Sequence, residues 1–95
     1  MTVKQLAKIH KALSNENRLE IFLSILRHQK ESFEPECSCV ITDLLQNLCI
    51  GAPTISHHLK ELSNAGLIET EKEGKYLVAH VNRELLEQFE KEFKL

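Results

Sequence analysis

The sequence predicts a mostly helical domain that carries one β-hairpin near its C-terminal end. Apolar residues recur at three- and four-residue steps over most of the chain, which is the period of an amphipathic helix. Between positions 67 and 81 this period changes to alternation around a glycine, which is typical of a hairpin. The length of 95 residues indicates a single domain, residues 1–95.

Two helices come first. The stripe of the first helix, within residues 1–13, consists of Val3, Leu6, Ile9, His10 and Leu13. The stripe of the second helix, residues 15–30, consists of Leu19, Phe22, Leu23 and Leu26, widened by Ile21 and Ile25. Ser14 and Asn15 separate the two helices, and both are residue types that cap a helix N-terminus. Polar residues around Pro35 predict a loop over residues 30–38.

A pair of short helices is predicted within residues 40–66. The first, VITDLLQNL, spans residues 40–48 and has an apolar face of Ile41, Leu44, Leu45 and Leu48. A turn at Gly51 leads to the second, APTISHHLKELSNAG, whose apolar stripe is Ile55, Leu59 and Leu62. Pro53 suits a first helical turn and Gly66 suits a helix end. Two helices joined by a tight turn form a helix-turn-helix.

The hairpin, residues 67–81, turns at Glu73-Gly74. Its second strand places Tyr76, Val78 and His80 on one face and Leu77, Ala79 and Val81 on the other. Asn82 is the predicted N-cap of a last helix, within residues 83–95, with apolar Leu85, Leu86, Phe89 and Phe93. The order α-α-α-α-β-β-α, with a hairpin wing after the helix-turn-helix, predicts a winged helix-turn-helix.

Composition excludes several function classes. Hydrophobic residues make up 42% and charged residues 27%, as in an ordinary globular domain. No apolar run of about 18 residues and no signal-peptide core occur, so we expect a cytoplasmic protein with no membrane span. Three cysteines, an odd number, favour reduced thiols over a disulfide framework. No nucleophile–base set, phosphate-binding loop or metal–water site indicates an enzyme.

Three segments resemble the ArsR/SmtB family of transcriptional repressors. They are KALSNENRLEIFLSIL, ITDLLQNLCIGAPTISHHLKELSNAGLI and EKEGKYLVAHVN, and they cover roughly residues 11–82. The most specific part is Ser56-His57-His58-Leu59, followed by Lys60 and then Ala65-Gly66-Leu67. The resemblance implies binding to double-stranded DNA by a homodimer. It also implies that the first and last helices, within residues 1–13 and 83–95, form the dimer interface, where their apolar faces would otherwise stay exposed.

The helix at residues 52–66 is the predicted recognition helix. With its apolar stripe turned inward, the opposite face presents Thr54, Ser56, His57, Lys60 and Glu61. The first three residues suit base edges and Lys60 suits a phosphate or a guanine. His57 is interpreted as facing DNA, or otherwise as a solvated surface residue. His58 lies beside the apolar stripe and is interpreted as structural, bonding within the domain.

The wing carries further candidate DNA contacts. Lys72 and Lys75 flank Gly74 and are predicted to touch the minor groove or the backbone. The alternating acids of the wing are expected to oppose them and to weaken the grip on phosphates. These acids are Glu69, Glu71 and Glu73.

The family's members commonly respond to a metal, a metalloid or a redox signal. Its metalloid pattern ELCVCDL would place cysteines at Val40 and Thr42, whereas here they stand at Cys37 and Cys39. In an extended segment residues i and i+2 point the same way, so two thiolates could hold one soft ion such as As(III), Cd(II), Pb(II), Zn(II) or Cu(I). Thiol redox chemistry and ordinary loop cysteines are the alternatives.

A second metal site of the family, on the last helix, is not expected. It needs Asp and His residues across the dimer, but residues 82–95 contain no histidine. His80 with Glu84 or Glu87 is only a fragment of such a site.

The predicted function is therefore a homodimeric repressor of a palindromic operator, released by a soft metal or metalloid or by a thiol-redox signal. The alternative is a winged-helix protein-interaction module that does not bind DNA. The net charge of −2 and the acidic wing favour that alternative.

Overall fold

The computed structural model describes residues 1–31, 39–40, 52–74 and 76–95. The helices are α1 (Val3–Leu13), α2 (Glu16–Glu31), α3 (Ala52–Asn64) and α4 (Arg83–Lys91); the strands are β1 (Cys39–Val40), β2 (Ile68–Glu73) and β3 (Tyr76–Val81). The helices and hairpin predicted within the described residues are confirmed. The helix predicted at residues 40–48 lies outside them, except for Val40, which belongs to β1. No helix in this described part is long and apolar enough to cross a membrane.

Side chains at the helix starts satisfy backbone groups that no helical partner reaches. The Thr2 hydroxyl accepts a hydrogen bond from the Gln5 amide at 3.1 Å, and the Thr2 amide donates to Gln5 Oε1 at 2.9 Å, which closes a capping box on α1. Of the two predicted caps for α2, the structure selects Asn15, whose Oδ1 accepts from the Arg18 amide at 3.1 Å. Ser14 instead donates its hydroxyl proton to the Lys11 carbonyl at the end of α1.

The sheet has three antiparallel strands in the order β1-β3-β2. The strand β1 was not predicted. The predicted helix at residues 40–48 was wrong at Val40, which lies in β1, whereas the extended conformation on which the Cys37/Cys39 site depends is found at Cys39. Cys39 pairs with Ala79, and Val40 pairs with Val78. Two residues are too short for an alternating pattern, and pairing along the second edge of β3 decides their conformation.

The core collects apolar side chains from α1, α2, α3 and the hairpin. In α2 the fully buried positions are Ile21 and Ile25, while Leu19, Leu23 and Leu26 are half-buried. Phe22 of the predicted stripe is buried as well, so the apolar side of α2 is confirmed, with Ile21 and Ile25 as its deepest positions. The helix contacts α1, α3 and β3, so packing from several sides decides which of its apolar residues lies deepest.

The two ends of the chain lie against each other. Phe89 of α4 is half-buried, and Phe93 keeps 59% of its surface exposed. The ring of His10 in α1 lies 5.3 Å from that of Phe89 and 5.6 Å from that of Phe93, centroid to centroid. The terminal ammonium of Met1 contacts Glu92 Oε1 at 3.1 Å. An aromatic surface shared by α1 and α4 therefore remains open to solvent.

Candidate nucleic-acid interface

The helix α3 is followed by Gly66, which adopts a left-handed backbone conformation that glycine allows without strain. Gly66 has φ +82°, its amide donates to the Ser63 carbonyl at 3.0 Å, and the Leu67 amide donates to the Leu62 carbonyl at 3.1 Å. These two bonds form a Schellman motif, and the buried side chains of Leu62 and Leu67 accompany it. The predicted glycine cap is confirmed, and it leads the chain directly from α3 into β2.

The solvent side of α3 carries the polar residues expected there. Leu59 and Leu62 are buried and Ile55 is half-buried, as the apolar stripe predicted. On the opposite side, Thr54, Ser56, His57 and Lys60 are exposed, whereas Glu61 is half-buried. The outward placement of the exposed residues is confirmed, and their contact with DNA stays a prediction.

His58 is buried at the junction of three helices and keeps 5% of its surface exposed. The Nε of Arg18, in the first turn of α2, donates to His58 Nδ1 at 3.3 Å. A second guanidinium nitrogen of Arg18 donates to the carbonyl of Ala12, near the end of α1, also at 3.3 Å. We call this arrangement the Arg18–His58 clamp. It confirms the structural role expected for His58, and it ties α3 to both preceding helices.

The clamp requires a neutral His58. A ring nitrogen that accepts a hydrogen bond carries no proton, so the ring hydrogen resides on Nε2. Burial lowers the pKa of His58 below its ordinary value, and the positive charge of Arg18 and the neighbouring His57 lower this pKa further. All three effects favour the neutral form of His58, whose Nδ1 accepts the hydrogen bond from Arg18.

The register of the hairpin places Lys72 on the face opposite Glu69 and Glu71. One face of the hairpin carries alternate residues from both strands. These are Ile68, Thr70 and Lys72 of β2 and Leu77, Ala79 and Val81 of β3. Ile68, Ala79 and Val81 of this face belong to the core, and Thr70 and Leu77 lie beside α3.

Two of the acidic residues lie on the opposite face of the hairpin. These are Glu69, paired with His80, and Glu71, paired with Val78. Glu69 and Glu71 therefore do not share a face with Lys72, and their expected weakening of the grip on phosphates stays a prediction.

The remaining candidate residues are the wing lysines, the cysteine pair and His80. Lys72 is exposed on β2, whereas Lys75 and Cys37 lie outside the described residues. Cys39 lies in β1, an extended conformation. His80 Nε2 contacts Glu69 Oε2 of the neighbouring strand at 3.0 Å, whereas the sequence pointed to Glu84 or Glu87 beside it. Among the described residues, no three His, Cys, Asp or Glu side chains come together as a metal site.

A comparison with models of known protein families shows which family the chain belongs to. Residues 15–70 match the model of bacterial regulatory proteins of the arsR family, a match that includes α2, α3 and the start of the wing. The chain belongs to the arsR family. This membership makes it a DNA-binding transcriptional regulator, and it favours the DNA-binding interpretation over the protein-interaction alternative.

Individual arsR-type proteins resemble the chain over most of its length. The arsenical resistance operon repressor of Staphylococcus xylosus is 38% identical over 87 residues, which are 92% of this chain and 75% of that protein. A cadmium resistance regulator, a CadC homolog of Staphylococcus aureus, is 33% identical over 86% of this chain and 61% of its own length. The homodimeric winged helix-turn-helix DNA-binding domain Mb0332 of Mycobacterium bovis shares the fold, with a TM-score of 0.71 and 21% identity over 94% of this chain and 75% of that chain.

Proposed function

We propose that the protein acts as a homodimeric repressor in the cytoplasm and binds a palindromic operator with α3 in the major groove. The observation that carries this proposal is the row of exposed polar side chains on α3, held outward by the Arg18–His58 clamp behind it. Thr54, Ser56 and His57 in the first turns of α3 would meet base edges, and Lys60 would meet the backbone. Lys72 and Lys75 of the wing would add contacts to the adjacent minor groove or its phosphates.

The proposed dimer interface is the open aromatic surface of α1 and α4. Phe93 is exposed there and Phe89 is only half-buried, and the apolar residues Val3 of α1 and Leu95 at the chain end are exposed as well. Apolar residues grouped at the chain ends favour a two-fold contact in which each protomer covers the other. The Mb0332 domain, which has the same fold and is homodimeric, supports a homodimer. Two protomers would present two copies of α3 to the two halves of a palindrome.

The Lys60→Gln variant tests the backbone contact. Removing one phosphate contact in each half-site is expected to lower the slope of log K against log salt concentration by about 1.8 for the dimer, because each neutralised phosphate contributes about 0.9. Fluorescence anisotropy with a duplex from the protein's own promoter, at several salt concentrations, measures this slope. Lys91→Gln removes the same charge from an exposed position in α4 and serves as the control. An unchanged slope in Lys60→Gln would refute the assigned contact.

We also propose that Cys37 and Cys39 sense a soft ion or an oxidant. The arsenic- and cadmium-related names of the two staphylococcal relatives support a thiophilic signal. The position of Cys39 supports a route to the DNA-binding surface, since β1 pairs with β3 and β3 pairs with β2 of the wing. A ligand held by the thiolates would act on this edge of the sheet and change the angle between the two copies of α3 in the dimer. The ligand would release DNA if it bound more tightly to the dimer geometry that does not fit DNA.

DNA-binding titrations with As(III), Cd(II), Zn(II) and a thiol oxidant test the sensor. At least one agent is expected to lower the DNA affinity of the wild type by about 5- to 150-fold, the usual size of an allosteric coupling. The Cys37→Ser/Cys39→Ser variant is expected to lose this response and keep its affinity in the absence of the agent. Cys49→Ser removes the remaining thiol and should respond like the wild type. Equal responses in all three proteins would show that the signal acts elsewhere.

A further inference from the structure

A groove of about 230 Å³ separates α3 from the hairpin. Leu59 of α3 and Leu77 of β3 contribute its apolar lining. Its polar lining includes Ser63 and Asn64, in the last turn of α3, and Thr70 of β2. None of the described residues that line it is acidic. The groove therefore offers hydroxyl and amide donors above an apolar base.

The groove continues the row of proposed DNA contacts. Ser56 and Lys60 line it as well, at the end nearer the start of α3. Ser56, Lys60 and Ser63 follow one another at four- and three-residue steps, which places them along one side of a helix. Thr70 faces them from the hairpin, on the face opposite Glu69 and Glu71. Hydrogen-bond donors thus line both walls, and the two wing acids lie on the far face of the sheet.

The geometry of duplex DNA indicates what would occupy this space. One sugar–phosphate strand separates a major groove from the adjacent minor groove. If α3 enters the major groove and the wing reaches the minor groove beside it, that strand must pass over the gap between them. Phosphate oxygens are acceptors, and they take hydrogen bonds from Ser, Thr, Asn and Lys side chains. The hydroxyl and amide donors on the two walls suit phosphate oxygens, and the positive charge of Lys60 suits the charge of the phosphate.

We infer that Ser63, Asn64 and Thr70, together with Lys60, form a seat for one backbone phosphate in each half-site. This inference rests on the proposed DNA-binding function and adds three residues to it. The seat positions the protein on the duplex from the C-terminal end of α3, while base contacts come from its N-terminal turns. Because a phosphate carries no base identity, the seat strengthens binding to every sequence equally.

Thr70→Val and Ser63→Ala test the seat, because each removes a hydroxyl and little else. Each is expected to lower the affinity of the dimer by about 100-fold, since one hydroxyl bond to a charged phosphate oxygen is lost in each half-site and each contributes a factor of about 10. The loss is expected on operator and random DNA alike. The salt slope should stay unchanged because no charge is removed. Ser24→Ala is the control, since the Ser24 hydroxyl donates within α2, to the Glu20 carbonyl at 2.8 Å.

Single methylphosphonate substitutions in the duplex identify the phosphate itself. One position in each half-site is expected to weaken wild-type binding, and the Ser63→Ala/Thr70→Val variant should be insensitive at that same position. Wild-type affinity in both single variants, or a loss confined to one DNA sequence, would overturn the seat while leaving DNA binding intact. Absence of any DNA binding by the wild type would instead refute the proposed function, and the seat with it. Thermal unfolding of each variant confirms that the fold is retained.

Discussion

The free energy of unfolding is expected to fall as the pH drops below about 6.5, and to fall less in the Arg18→Met variant. The pKa of His58 is lowered in the folded protein by burial, by Arg18 and by His57, whereas in the unfolded chain it returns to its ordinary value near 6.5. Between the folded and unfolded pKa values the unfolded state binds more protons, so stability decreases as the pH falls through this window. Above the window the contribution of His58 is fully present.

In the part of the chain that the structure describes, Arg18 of α2 and His57 of α3 are the groups whose charge lowers the pKa of His58. The contact from α1 in the clamp is the neutral carbonyl of Ala12. Arg18→Met removes one positive charge, so the pKa of His58 should rise toward its ordinary value. Burial remains the largest cause of the shift, and the acid sensitivity should therefore shrink without vanishing.

Arg18→Met has a second effect at neutral pH. It leaves the Ala12 carbonyl and His58 Nδ1 without their donor, which is expected to cost about 1–3 kcal/mol of unfolding free energy. Urea unfolding at a series of pH values measures both effects, and NMR titration of the His58 ring measures its pKa directly. Arg27→Met, at an exposed site on the same helix, is the control and should change stability by at most about 0.5 kcal/mol. Parallel pH profiles for the wild type and Arg18→Met would contradict the clamp.

The Phe93→Glu variant is expected to be monomeric at concentrations where the wild type is a dimer. Phe93 is 59% exposed in the single chain, so a glutamate there should not disturb the fold. In a two-fold interface the same change buries an unpaired carboxylate from each protomer, which costs several kcal/mol. The dissociation constant of the dimer should therefore rise at least about 100-fold, equivalent to about 2.8 kcal/mol.

Sedimentation velocity over a concentration series measures this dissociation, and DNA affinity should fall with it because a monomer engages one half-site. Lys91→Gln changes the net charge by the same amount on another side of α4 and is expected to remain dimeric. A Phe93→Glu protein that dimerises like the wild type would exclude the aromatic surface as the interface. A wild type that is monomeric at all concentrations would exclude the dimer itself.

Much of the proposed DNA-binding surface follows from local patterns. The stripe of Ile55, Leu59 and Leu62 sufficed to place Thr54, Ser56, His57 and Lys60 on the solvent side of α3, since a helix repeats every 3.6 residues whatever surrounds it. Caps were predictable for the same reason. Asn15 and Asn82 accept hydrogen bonds from the amides of Arg18 and Leu85, and the Gly66 amide donates to the Ser63 carbonyl, so each cap bonds to a residue three positions away.

Other features depended on residues far apart in the chain. Arg18 and His58 are 40 positions apart, and no local signal pairs them. The strand β1 consists of two residues whose conformation is decided by the edge of β3. The alternation of β2 was readable in the sequence, but the identity of its inward face depended on packing against α3 and the core.

The sequence by itself determined the family, the helices and hairpin that the structure describes, and the outward row on α3. These depend on short-range periodicity and on side chains that bond to nearby backbone. Only the tertiary structure decided that Arg18 donates to His58 and that Thr70 faces Ser63 across a groove. It also decided that Glu69 and Glu71 lie on the face of the wing opposite Lys72. Those relations arise when separate elements pack together, and the free energy of packing depends on contacts that no single stretch of sequence contains.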